Sequence, residues 1–146
     1  MHLVSADSAT PAASPIPRSR LAIGLDPSLR GGLPGLAAGR AIVIDFFASR
    51  CCTTIWIGDL TAGWLQPGES RPDLVALAPI EGVDVFVDRR LVELLATSGP
   101  TLHLGGPSFA RHLAVRLDDA AAWLAFLETP PAHRATRAHR RAQRGH

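Results

Sequence analysis

At 146 residues and 47% hydrophobic, with no run near the ~18 apolar residues of a membrane span, the chain fits one domain and its sequence excludes a spanning helix. All 15 basic residues are arginine, and lysine, asparagine and tyrosine are absent, a bias read as one of coding DNA rather than of function. The formal charge of +2 is uneven: the stretch from His133 to His146 holds Arg134, Arg137, Arg140, Arg141 and Arg144 and no acid, and without these five arginines the charge falls to −3.

Residues 1–20 are rich in Ala, Ser and Pro without an apolar period, the composition of a segment that stays disordered. No positive n-region precedes an apolar stretch, so a secretory leader is not expected, and a cytoplasmic, reducing location with free thiols follows. Asp26-Pro27, Gly31-Gly32 and Pro34-Gly35 break the next segment and leave room for a short helix near Leu33–Gly39. The expected division is an irregular or disordered segment 1–40, one domain over 41–129, and a basic disordered tail over 130–146.

Ala41–Ala48 is apolar on both faces apart from Asp45, the pattern of a central strand, and Thr53–Leu60 is β-branched and aromatic, a second strand. Thr61–Asp73, with Gly63, Pro67, Gly68 and Pro72, reads as a loop. Leu74–Pro79 and Val83–Asp88 flank a glycine-bearing connection and predict a hairpin. Asp88 caps a helix over Arg89–Thr97 that Gly99-Pro100 ends, and Thr101–Gly105 with Arg111–Leu117 forms another hairpin. In the last helix, opened by Asp118 and Asp119, the residues Ala120, Trp123, Leu124 and Leu127 make an apolar stripe. The predicted class is α+β, with a mainly antiparallel or small barrel-like sheet of about six strands and two short helices.

Concentrated side-chain chemistry sits at Cys51 and Cys52, the only cysteines. A thiolate binds soft metals or attacks electrophiles, and the neighbouring Arg50 favours the anion, whereas a free cysteine also packs as a small apolar side chain. Adjacent strand residues point to opposite faces, so one of the two is expected inside and one outside. Metal binding usually takes three or four protein ligands. The extra candidates are His103 and His112, which would face each other if Leu104 pairs with Arg111. Asp45 is a candidate buried acid or the partner of an arginine, and Asp59 reads as a strand-end residue. No Ser-His-Asp order, nucleophile elbow or phosphate-binding glycine loop is present. The five tail arginines are candidate contacts to nucleic-acid phosphates, without aromatic residues to stack on bases.

Val43-Ile44-Asp45-Phe46-Phe47-Ala48-Ser49-Arg50-Cys51 resembles the strand entering the active site of the thioredoxin family, and Gly99-Pro100-Thr101-Leu102 resembles the start of that family's proline-bearing strand. That resemblance implies thiol–disulfide chemistry, although the C-x-x-C of the family is missing. A cysteine-bearing turn between strands, the stretch Leu77-x-x-Ile80-x-Gly82-Val83-x-Val85-x-Val87-Asp88, a short helix and a final hairpin resemble the HesB/IscA-type fold over residues 41–117. It implies an iron–sulfur or metal carrier fold with a paired-cysteine branch, and this chain lacks the carriers' later C-x-C.

The function expected from sequence is a small non-enzymatic accessory protein. Its metal candidates are Cys51, Cys52, His103 and His112, holding an iron–sulfur cluster or Zn at a protein-partner or homodimer interface. A thioredoxin-like protein and an interaction module with a nucleic-acid-binding tail are the alternatives.

Overall fold

The computed structural model describes residues 21–51 and 55–129, so the expectations for residues 1–20, for Cys52 and for the tail 130–146 lie outside the described residues. Among these residues the chain forms seven strands and three α-helices, an α+β arrangement. The strands are β1 (Gly24–Leu25), β2 (Ala41–Cys51), β3 (Ile55–Leu65), β4 (Leu74–Ile80), β5 (Val83–Asp88), β6 (Pro100–Gly105) and β7 (His112–Leu117). The helices are α1 (Leu33–Ala37), α2 (Val92–Ser98) and α3 (Ala120–Leu127).

Two open sheets replace the single antiparallel or barrel-like sheet expected from sequence. One has the order β3-β2-β5-β4, the other β1-β6-β7. Each contains a parallel pair, β2 with β5 and β1 with β6, and β3 and β4 stay at opposite edges instead of joining into a barrel. The strands β2 and β5 lie side by side in the middle of their sheet, and on one face Ile42, Ile44, Val85 and Val87 are at most 1% exposed; on the other face β5 carries the exposed Asp84, whereas β2 is covered there too, at Val43. Continuous apolar runs are what a strand covered on both faces requires. The edge strand β4 carries Pro79, which has no N–H to offer a further strand.

Local turn chemistry accounts for most boundaries. The β4–β5 hairpin turns on Glu81 and Gly82, both at positive φ (51° and 80°), the backbone that a two-residue turn of matching twist demands. Asp88 accepts the Arg90 backbone N–H at 2.9 Å and starts a 3-10 turn that runs into α2. Gly99, in the left-handed region, ends α2.

Four features depart from the sequence reading. The strand β3 continues through Thr61–Leu65, where a loop was expected, because Gly63 fits in the ladder opposite Val43 and the whole stretch pairs with Ala41–Asp45. Residues 21–40 are part of the packed unit rather than a lead-in to it: Leu29, Leu33 and Ala37 are no more than 2% exposed, and Leu21 is buried with them. Their four-residue spacing brings one side of the 3-10 turn at Pro27–Leu29 and of α1 onto the core, and the Gly31 N–H donates to the Glu81 carboxylate at 2.8 Å to hold the segment down. The breakers there shape turns within the fold.

The face of α3 also differs: Leu124 is 65% exposed, while Phe126 and Leu127 are buried and Trp123 is half-buried. Residues 123, 126 and 127 satisfy helical spacing as well as the expected set does. Phe46 decides between them, since its ring meets Phe126 edge-on at 5.2 Å and Trp123 at 6.1 Å, and Trp123 stacks on Phe126. Finally, β6 and β7 pair Leu104 with Leu113 and Gly105 with His112, two residues away from the expected register. The Ala110 N–H closes a turn onto the Pro107 carbonyl at 2.9 Å, so Arg111 stays in the connection.

No helix among the described residues is long and apolar enough to cross a membrane.

Candidate functional site

The β2–β3 ribbon is eleven residues long on each side and changes character along its length. From Ile42 to Ile44, β2 is bonded on one side to β3 and on the other to β5; beyond Ile44 its ladder with β5 ends and β3 alone continues, out to the pair Cys51–Ile55. In this outer half one face remains covered. Phe46 and Ala48 are buried there, and Gly58 lies under Leu127 of α3.

Only glycine fits at position 58. A Cβ there would collide with the Phe47 carbonyl oxygen and sit 3.1 Å from Leu127 Cδ2. The Trp123 indole N–H donates to the Gly58 carbonyl at 3.2 Å, which occupies part of the outer edge of β3.

The opposite face of the outer half is open. Phe47 and Ile57 are 47% and 49% exposed there, and they are diagonal neighbours because Phe47 pairs with Asp59 and Ser49 with Ile57. Arg50 is exposed, with its guanidinium 5.8 Å from the centre of the Trp56 ring, close enough for a cation–π contact. Cys51 is the last residue of β2, and Cys52 follows it outside the described residues.

His103 and His112 come together elsewhere. Both line a cleft of about 460 Å³ whose other wall is β3 from Asp59 to Ala62. The observed register puts His103 opposite Ala114, so His112 is its diagonal rather than direct neighbour; a shift of two residues preserves the face. At about 3.3 Å per strand residue, the four steps from Ile55 to Asp59 place the β2 terminus roughly 13 Å from the near end of that cleft. The four sequence candidates therefore divide between two places in one chain. Among the described residues no three His, Cys, Asp or Glu side chains are arranged to hold a metal ion.

Asp45 and Asp88 both settle into ion pairs. Asp45 is one-quarter exposed, its Oδ2 is 2.6 Å from Arg71 and its Oδ1 accepts the Phe46 N–H, which matches the arginine-partner reading. Asp88 is fully buried and meets Arg90 through two hydrogen bonds, of 2.8 and 2.6 Å. Burial pushes the Asp88 carboxyl up. The side-chain and backbone hydrogen bonds from Arg90, with the positive charges of Arg90 and Arg71, outweigh it and hold the group below the usual carboxylate range. Through the same hydrogen bond Asp88 raises Arg90, whose guanidinium also lies 5.4 Å from the Phe46 ring centre. This pair anchors the end of β5 to the aromatic cluster under the ribbon.

Sequence reasoning missed the β3 wall of the histidine cleft, because it ended the strand at Leu60. Asp59 is a mid-strand residue lining the cleft, with Thr61 beyond it. No local signal marks this extension, because Thr61-Ala62-Gly63-Trp64-Leu65 shows no alternation and Gly63 reads as a breaker. No family model, no curated protein and no solved structure matches the chain.

Proposed function

We propose that the chain is a small, non-enzymatic accessory protein whose Cys51 and Cys52 form a vicinal-thiol half-site for a soft metal ion or an iron–sulfur cluster, completed by a second copy of the chain. The carrying observation is the outer half of the ribbon: β2 leaves its sheet neighbour after Ile44, exposes Phe47 and Ile57 on one face, and ends at Cys51. Exposed apolar side chains beside a ribbon end suit a surface that meets another protein. Thiolates suit soft metals and Fe–S clusters, and these sites take four ligands, so two chains supplying two cysteines each satisfy the count.

The test is anaerobic purification of the full chain, followed by quantification of bound Fe, Zn and Cu, of free thiols, and of oligomeric state with and without metal. Metal that co-purifies and departs with self-association in the Cys51→Ser, Cys52→Ser variant supports the reading. A metal-free protein whose double variant keeps all its associations sinks it.

A further inference from the structure

His103 and His112 project from the β6–β7 hairpin into one cleft, and among the described residues neither imidazole has a hydrogen-bond or ion-pair partner in the protein. We propose that they form a second metal site, independent of the cysteines, which takes a borderline divalent transition-metal ion on two imidazole nitrogens with water in the remaining positions. Imidazole suits copper, zinc and nickel, in contrast to the soft ions that thiolates prefer.

The hairpin geometry carries the proposal. Diagonal neighbours on one face of an antiparallel pair are about 7–8 Å apart, within reach of long and aromatic side chains. Two nitrogens at about 2.0–2.1 Å from one zinc lie at most about 4 Å apart, a gap that the two rings would close by rotating about their side-chain bonds on binding.

Glycine leaves the His112 ring room against β6. The residue directly opposite His112 is Gly105, and a Cβ there would be 3.3 Å from His112 Nε2, while one at Gly106 would be 2.9 Å from Nδ1. The ring thus lies across the β6 backbone, and the next side chain on that strand and face is His103. On the far wall, Asp59 and Thr61 offer oxygen atoms to the metal's waters. Leu113 beneath them is buried and fixes the β7 side of the cleft.

Of the chain's six histidines, His2, His133, His139 and His146 lie outside the described residues, so the experiment removes their imidazoles. The full-length chain carrying His2→Ala, His133→Ala, His139→Ala, His146→Ala, Cys51→Ser and Cys52→Ser is titrated with Cu²⁺ and followed by electron paramagnetic resonance. The expected result is one ion per chain with coupling to two imidazole nitrogens. His103→Ala or His112→Gln should each weaken binding about tenfold or more, since losing an outer-shell partner alone costs that much. His112 is exposed, so its replacement separates loss of a ligand from loss of the fold. Copper bound unchanged when His103→Ala and His112→Gln are combined on this background, or no copper bound at all before they are introduced, overturns the proposal. With both cysteines absent, either outcome leaves the thiol reading untouched.

Discussion

The inner and outer halves of the β2–β3 ribbon share one continuous ladder and differ in nearly everything else. In the inner half β2 has a strand on each side and is covered on both faces, with Val43 buried as well as Ile42 and Ile44. In the outer half it has one partner, one face under α3, and one face open at Phe47 and Ile57. Backbone pairing alone therefore does not say where stability resides. The inner half is framework, whereas the open face of the outer half carries little of the fold and is free to carry chemistry.

Substitutions along the ribbon and at its anchor test this contrast. Ile44→Ala removes a side chain with no exposure from between two strands, and a loss of about 3–4 kcal/mol is expected in denaturant unfolding. A value near zero would show that the inner half is not the framework. Gly58→Ala tests the covered face of the outer half: the added methyl meets backbone as well as Leu127, and overpacking of this kind costs about 1–3 kcal/mol, read as a lowered melting temperature.

Asp88→Asn keeps a capping oxygen but removes the charge facing Arg90, with an expected loss of about 2 kcal/mol at neutral pH. Because the folded Asp88 carboxyl lies below its unfolded value of about 3.9, its contribution is complete above that pH and disappears as the pH falls through the lower folded value. Acid titration of stability should consequently be shallower in the Asn variant; identical acid limbs would count against the pair. The smallest effect is expected for Phe47→Ser on the open face, within about 0.5 kcal/mol in the same unfolding measurement.

Legibility in the sequence follows the same division between local and tertiary causes. The Glu81-Gly82 turn, the Asp88 cap and the Gly99 stop are short-range features, and each appears where turn and capping chemistry puts it. The end of β3 was not legible, because Gly63 reads as a breaker until its pairing with Val43 is known. Leu29, Leu33 and Ala37 sit among breakers, and only the packed sheet reveals that they belong to the core. The face of α3 turned on Phe46, eighty residues upstream of Phe126, which no helical period encodes.

For the candidate sites, alternation correctly put His103 and His112 on one face of their hairpin. The closing turn moved the register by two, making them diagonal neighbours. Their separation from Cys51 arises from how the two sheets meet, and nothing in the linear spacing announces it. Residue types thus named the candidates, and the topology divided them between a ribbon end and a cleft.

The thiol half-site is tested most directly by titrating the anaerobic full-length chain with Cd²⁺ while following thiolate-to-metal charge-transfer absorbance and molecular mass together. Absorbance should saturate at one ion per two chains as the mass doubles, and vanish in the Cys51→Ser, Cys52→Ser variant. No thiolate band in the unmodified chain, or an unchanged titration in the variant, would contradict it.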